Sequence, residues 1–182
     1  MTDAEFLAAI QQNPVNAAIL ERLPDLGLPD AQLVAGALFG TVWNLQGGEA
    51  PTRHIRDYDL FYWDPDTSYA AEDRQIQRAE QLFRDLKSPI ELRNQARVHL
   101  WFPERHGVER PPLLSVQEGI DQFLVRCTCL GVNAAGEVYA PCGLSELEAG
   151  VLRPNPRNHT PHLYAAKVQS YRERWPWLTD AS

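Results

Sequence analysis

The chain has 182 residues, of which 44% are hydrophobic and 23% are charged. This length and composition are typical of a single globular domain with an ordinary core, and we place that domain at 1–182. The formal net charge of −7 disfavours long nucleic acids as partners. The apolar stretch 33–43 is too short to span a membrane, which takes about 20 residues.

The cysteine content and the start of the sequence both favour a cytoplasmic protein. The three cysteines are Cys127, Cys129 and Cys142, and their spacing does not fit a standard zinc site. An odd number of cysteines favours free thiols in a reducing compartment. The first residues include two acids and lack the basic region of a secretory signal.

The first part of the chain predicts short helices. Thr2, with Glu5 three residues later, has the pattern of a capping box. Asn13 or Asn16 would cap a second helix after the first one is interrupted by a proline. We therefore expect 1–28 to form an amino-terminal helical cap.

The middle of the chain combines helices with strands. A buried helix is predicted over 31–43, with Asp30 as its cap, and a strand over Asp57–Trp63. An amphipathic helix follows from about 69 to 86. From Ile90 to Phe102, apolar residues occupy nearly all even positions, which predicts one long strand or two shorter ones.

The last third predicts short elements and one longer helix. Ser115 would cap a helix that ends near Leu124. The remaining predicted elements are strands over Cys127–Val132 and Glu137–Tyr139, a helix over Leu144–Leu152, and a helix over Pro161–Arg174. We expect residues 160–182 to form a carboxy-terminal helix and tail that dock onto the rest of the domain. The fold class is therefore α/β or α+β, with a small mixed β-sheet backed by helices.

Two carboxylates stand out within the strand at 57–63. Asp57 and Asp59 are two residues apart, so both side chains leave a strand on the same face. Like charges this close require a cation or a proton between them. Glu91 begins the next strand-like run, and three carboxylates on neighbouring strands would form an oxygen site suited to Mg²⁺.

These residues also have structural interpretations. Asp57 and Asp59 could lie on the solvated face of an edge strand, and Glu91 could form a surface ion pair with Arg93 or Arg97. Other candidates with a structural alternative are Gly36 and Gly40, which could serve helix packing, Thr41, which could bond to a helix carbonyl, and Lys167 and Arg153, for which we expect surface roles.

The order of these motifs resembles the nucleotidyltransferase superfamily that includes the polymerase-beta-like enzymes. The matching segments are Phe39-Gly40-Thr41, Asp57-Tyr58-Asp59-Leu60 and Ile90-Glu91-Leu92. The chain is more closely similar to a bacterial nucleotidyltransferase-like family, through the segments VWN, RDYDLFYWD, RNQARVHLWF, RPNP and RWPWL. This closer resemblance covers nearly the whole chain.

The resemblance implies transfer of a nucleoside monophosphate from an NTP to an acceptor hydroxyl, with release of pyrophosphate. It implies that Asp57 and Asp59 hold two Mg²⁺ or Mn²⁺ ions as the metal and catalytic residues. Glu91 would complete the metal site next to the acceptor, or would act as general base.

The resemblance also implies which residues contact the triphosphate. The backbone at Gly40 and Thr41 would approach the β- and γ-phosphates. Arg56, Arg93 or Arg97 would neutralise phosphate charge, because a guanidinium offers a bidentate fork.

The acceptor is open at this point: a small molecule, a protein side chain or an RNA end. The alternative to an enzyme is a catalytically inactive member of the same fold that binds a nucleotide or a protein. A structural or regulatory partner of a second protein is a third class.

Overall fold

The structure, a computed structural model, describes residues 1–158 and 160–182. Helices and strands are mixed along the chain, which confirms the predicted α/β class. None of the helices within these residues combines the length and the apolar character needed to cross a bilayer. The helices of the described chain are α1 (Asp3–Ile10), α2 (Pro14–Arg22), α3 (Gly36–Gln46), α4 (Tyr69–Leu82), α5 (Val98–His106), α6 (Val116–Ile120), α7 (Ser145–Ala149) and α8 (Pro161–Arg174).

A five-stranded mixed sheet forms the centre of the molecule, as predicted. The strands of the described chain are β1 (Gln32–Val34), β2 (Tyr58–Tyr62), β3 (Ile90–Asn94), β4 (Gly131–Asn133), β5 (Val138–Tyr139), β6 (Val151–Leu152) and β7 (Thr179–Asp180). Five of them are ordered β3-β2-β1-β4-β5 in the central sheet, and β6 pairs with β7 separately. Strands β2 and β3 are parallel, whereas the other neighbours in the central sheet are antiparallel.

Strand β2 separates two environments. Tyr58, Leu60 and Tyr62 are buried in the main core, together with apolar residues of α1, α2, α3 and α8. Asp59 and Phe61 alternate with them and are only partly buried, on the opposite face of the sheet. The period of two in a strand therefore directs the aspartate away from the main core.

The amino-terminal helices attach to α3 through a buried polar network. Asn13 caps α2, and its amide donates to Thr41 Oγ1 at 3.1 Å and to the Tyr58 hydroxyl at 3.2 Å. The Asn16 amide donates to Thr41 Oγ1 at 3.2 Å and to the Ala37 carbonyl at 2.9 Å. Thr41 in turn donates to the Ala37 carbonyl at 2.6 Å, which is the back-bonding alternative considered from sequence.

The prediction of a helix over 31–43 is wrong for the first residues of that range. Residues 32–34 form β1, and α3 begins only at Gly36. Asp30 and Ala35 have positive φ angles of 55° and 58°, and they flank the short strand. A short apolar run fits a buried strand and a buried helix equally well, so periodicity could not separate the two.

The strand predicted over Ile90–Phe102 is present only in its first part. Strand β3 ends at Asn94, and the 3₁₀ turn Gln95–Arg97 leads directly into α5. The Asn94 side chain accepts from the N–H of Ala96 at 3.1 Å and from that of Asp64 at 3.0 Å. Capping by a side chain ends the strand even though the apolar alternation continues.

Helix α8 packs on α3 through an aromatic cluster, which we define as Phe39, Trp43, Tyr171 and Trp175. The Phe39 ring lies 4.8 Å from Trp43 and 5.1 Å from Tyr171, and the Trp43 and Trp175 rings lie 5.1 Å apart. The Trp175 indole also donates to Asn44 Oδ1 at 2.8 Å. Buried aromatic contacts of this kind stabilise the docking of α8 beyond the burial of apolar area.

The cysteines do not form a disulfide. All three thiols are free, and Cys127 and Cys129 are buried. Burial raises the pKa of each of these two thiols to about 12. They are therefore protonated at neutral pH and behave as small apolar side chains.

We expect Thr41→Val to destabilise the fold by about 1–3 kcal/mol, because the amides of Asn13 and Asn16 would lose an acceptor in a buried site. The free energy of unfolding in urea measures this effect. Thr52→Val, at an exposed threonine, is the control and should change stability by less than about 0.5 kcal/mol. Equal stability of the two variants would contradict the importance of the network.

Candidate functional site

A cavity of about 580 Å³ opens on the sheet face that carries Asp59. Its walls come from the start of α3, the segment before β2, β2 itself, and one side of α8. Both predicted aspartates, Asp57 and Asp59, line it. The cavity therefore lies at the aspartates that the sequence predicted as metal and catalytic residues.

Strand pairing sets the position of the third carboxylate. Asp59 is in register with Val34 on one side and with Glu91 on the other. Residues in register on neighbouring strands have side chains on the same face. Asp59 and Glu91 thus share one face of the sheet, and Asp57, which directly precedes β2, lines the same cavity as Asp59.

The carboxylates interact electrostatically. The pKa of Asp59 is raised to about 7, first by burial and then by the negative charges of Asp57 and Glu91. Lys167 and Arg93 partly oppose this rise. Because Asp59 is partly buried beside two negative charges, its position favours a bound proton or a cation.

Glu91 differs from the two aspartates. It is exposed and does not line the cavity, and its carboxylate accepts from Arg93 Nη2 at 3.0 Å. This is the surface ion pair considered from sequence. Within 1–158 and 160–182, no group of three or more His, Cys, Asp or Glu side chains is close enough to hold one metal ion. The two aspartates therefore form the part of the acidic cluster that faces the cavity.

Positive charge enters the cavity from α8. Lys167 and Arg174 line the wall opposite the aspartates, and they are seven residues apart, or about two helical turns. The pKa of Lys167 is lowered, first by burial and then by Arg174, while Asp59 and Asp57 act in the opposite direction. Lys167 is exposed, as we expected from sequence, and its ammonium group also interacts electrostatically with Asp59 and Asp57.

Arg174 is held in place by its neighbours. Its guanidinium lies 4.6 Å from the Trp175 ring and 5.3 Å from the Tyr171 ring, and Nε donates to the Ser170 carbonyl at 3.1 Å. Burial lowers the pKa of Arg174. These contacts fix a cation on the wall of the cavity, and sequence analysis did not identify it.

The start of α3 also lines the cavity. Ala35 and Gly36 are wall residues, and no described side chain caps this end of the helix. The first N–H groups of a helix attract anions, and the helix dipole adds to this attraction. Sequence analysis missed this turn because it assigned 31–43 to one continuous helix.

The structure does not bring the predicted phosphate residues Gly40 and Thr41 to the cavity. The Thr41 hydroxyl is fully buried in the network with Asn13 and Asn16. A Cβ at Gly40 would lie 2.7 Å from Ile55 Cδ1, so this glycine allows close packing rather than contact with a ligand. Their place at the cavity wall is taken by the residues one helical turn earlier in α3.

Of the three arginines predicted to contact phosphates, one lines the cavity and two do not. Arg56 lines the cavity and is exposed. Arg93 is paired with Glu91, and Arg97 forms a largely buried ion pair with Glu72. Of the residues predicted to contact phosphates, only Arg56 lies at the cavity.

We expect Asp59→Asn to flatten part of the pH dependence of stability. Because the folded pKa of about 7 exceeds the ordinary value of 3.8, the folded protein binds a proton that the unfolded chain has released. Stability therefore falls as pH rises from about 4 to about 7, and the wild type should lose on the order of 2 kcal/mol between pH 5 and pH 8 through this group.

Urea unfolding at both pH values without divalent ions measures this loss. Asp59→Asn should lose less stability between them than the wild type does. Glu80→Gln, at an exposed carboxylate, is the control and should follow the wild type. Parallel pH profiles for the wild type and Asp59→Asn would show that the carboxyl titrates normally.

Comparisons with known proteins agree with this geometry. A family model described as nucleotidyltransferase matches residues 21–179. One NMR structure, described as revealing a CCA-adding enzyme head domain, is 28% identical in sequence, with a TM-score of 0.78. The similarity covers 98% of this chain and 95% of that one. No curated protein sequence gives a significant match.

Proposed function

Because the chain belongs to the nucleotidyltransferase family, we propose that it transfers a nucleoside monophosphate from an NTP to an acceptor hydroxyl. The observation that carries this proposal is the pairing of Asp57 and Asp59 with a cationic wall across one cavity. The aspartates suit a divalent cation, and the opposite wall suits a triphosphate. The two features together match a metal–NTP complex in charge.

The residues present fit a divalent cation, Mg²⁺ or Mn²⁺. Burial, followed by the negative charges of Asp57 and Glu91, raises the pKa of Asp59, and carboxylate oxygens are hard ligands that suit such ions. Asp57 and Asp59 would hold the ion, with Glu91 beside them. When bound, the cation would polarise the reacting phosphate and lower the pKa of the attacking hydroxyl.

The triphosphate is assigned to the wall formed by α3 and α8. The N–H groups at the start of α3 would donate to phosphate oxygens. Lys167 and Arg174 would neutralise charge on the leaving pyrophosphate, and Arg56 would add to this at the rim. These groups replace Gly40 and Thr41 in the role implied by the resemblance.

The transfer step is a displacement at the α-phosphorus. The acceptor oxygen forms a bond to this atom, the bond to the bridging oxygen of the β-phosphate breaks, and pyrophosphate leaves. Glu91 is in register with Asp59 on the neighbouring strand, and in this proposal its carboxylate exchanges Arg93 for the acceptor and receives the hydroxyl proton. The acceptor is a small molecule, a protein side chain or an RNA end, and the similarity to a CCA-adding enzyme head domain supports testing the last of these.

The decisive experiment is pyrophosphate release from the four NTPs, with Mg²⁺ or Mn²⁺ and pooled candidate acceptors. Asp59→Asn should reduce release by at least about a hundredfold, because a carboxylate ligand is lost while the fold is kept. Glu80→Gln should keep wild-type activity. Release that is unchanged in Asp59→Asn would overturn the assignment of the aspartates.

A second candidate is a domain that binds a nucleotide without transferring it. The Glu91–Arg93 pair favours this candidate, because it engages the third carboxylate. In the same assay, this alternative predicts tight NTP binding with no pyrophosphate release from any pool. Release from the isolated chain would exclude it.

We expect Lys167→Met to weaken NTP binding by about tenfold to a hundredfold, because a charge-assisted contact to phosphate is lost. Affinity for the corresponding nucleoside should not change. Isothermal calorimetry measures both affinities. The matched control is Lys87→Met at the only other lysine of the chain, which is exposed and does not line the cavity. Equal losses in the two variants, or an equal loss for the nucleoside, would contradict the phosphate role.

A further inference from the structure

Beyond the aspartates, the cavity continues into a space with aromatic walls. We call this space the aromatic chamber and define it by Phe61, Phe102 and Phe123, all of which line the cavity. Phe61 follows Asp59 by two residues on the same face of β2, and its ring centroid lies 5.8 Å from that of Phe123. The chamber is therefore continuous with the acidic site, and aromatic walls suit a flat ring.

Arg110 brings a buried donor into this chamber. Its guanidinium lies 4.4 Å from the Phe102 ring centroid, and Nη1 donates to Gln122 Oε1. The Nε atom is buried and has no hydrogen-bond partner among the described residues. Burial also lowers the pKa of Arg110. A buried donor without an acceptor is costly, so it marks a place where a ligand is expected.

The hydrogen bond to Gln122 determines which hydrogen-bonding groups a ligand of the chamber needs. With Nη1 engaged, the guanidinium retains the edge formed by Nε and Nη2, whose two parallel N–H groups match two adjacent acceptors. Among the nucleobases, guanine offers such a pair at O6 and N7, and cytosine at O2 and N3. Adenine and uracil alternate donors with acceptors along their edges and do not match the fork.

The rest of the cavity argues for a base rather than an anionic group in the chamber. The other cations of the cavity are assigned to the phosphates: Lys167 and Arg174 line the wall at α8, and Arg56 lies at the rim. The chamber combines three phenyl rings with a single arginine. A neutral planar ring uses both features, whereas a phosphate would use only the arginine.

We propose that the aromatic chamber binds the base of the NTP and that Arg110 selects cytosine or guanine over adenine and uracil. This inference rests on the proposed function, since it takes the ligand of the cavity to be an NTP. It adds a specificity residue and a substrate class. Arg110 is a binding residue in this proposal and takes no part in the transfer of the phosphate.

Calorimetry with CTP, GTP, ATP and UTP in the presence of Mg²⁺ tests the proposal. The wild type should bind CTP or GTP about tenfold to a hundredfold more tightly than ATP and UTP. Arg110→Gln should reverse the preference towards ATP, because a glutamine amide matches the donor and acceptor pair of adenine. Arg84→Gln, at an exposed arginine outside the cavity, is the control and should bind as the wild type does.

A second variant keeps the test valid if Arg110→Gln fails to fold. Arg110→Lys keeps the positive charge but loses the fork, so it should lose selectivity while retaining affinity for the triphosphate. If Arg110→Gln melts at a much lower temperature than the wild type, Arg110→Lys decides the outcome.

Failure of this inference is distinguishable from failure of the proposed function. Equal binding of the four NTPs by the wild type, unchanged in either variant at Arg110, would overturn the base selection. Pyrophosphate release that depends on Asp59 would then still stand. If no NTP binds to the wild type, both the proposed function and this inference are wrong.

Discussion

The register between β1, β2 and β3 is the constraint on which the rest of the site depends. It sets Val34, Asp59 and Glu91 side by side on one face of the sheet. A slip of one residue would move Asp59 into the main core and turn Leu60 towards the cavity. Burying a charged carboxylate among apolar side chains costs far more than the packing of any one residue can return. The apolar residues of β2 therefore hold the aspartates at the cavity.

Sequence analysis located this face correctly, and the reason is local. Alternation along Asp57–Trp63 is a property of a single strand, so it can be read without knowledge of neighbouring elements. The same holds for the cap at Asn13 and for α8, whose boundaries were predicted at Pro161 and Arg174 and observed there. The nucleotidyltransferase resemblance was confirmed by the family match, and the α/β class by the mixed sheet.

The other walls of the cavity could not be read in this way, because tertiary contacts create them. Nothing in the local sequence distinguishes Lys167 from a surface lysine, since its role depends on how α8 packs against α3. The turn at Ala35 was hidden because β1 has only three residues and merges with the apolar start of α3. Thr41 fitted a phosphate motif in sequence, yet its hydroxyl serves the attachment of the first two helices. The Arg110 donor becomes visible only once Gln122 is seen to occupy one side of its guanidinium.

The aromatic cluster that fastens α8 has a consequence for how the site forms. The acidic wall belongs to the sheet, whereas much of the cationic wall belongs to a helix that is distant in sequence and packs on α3 through Phe39, Trp43, Tyr171 and Trp175. Undocking of that helix would abolish the cavity while leaving the pairing of the central strands intact. Ligand binding therefore requires the helix to be docked, whereas the central strands can pair without it. A ligand that contacts both walls would in turn stabilise the docked position of the helix.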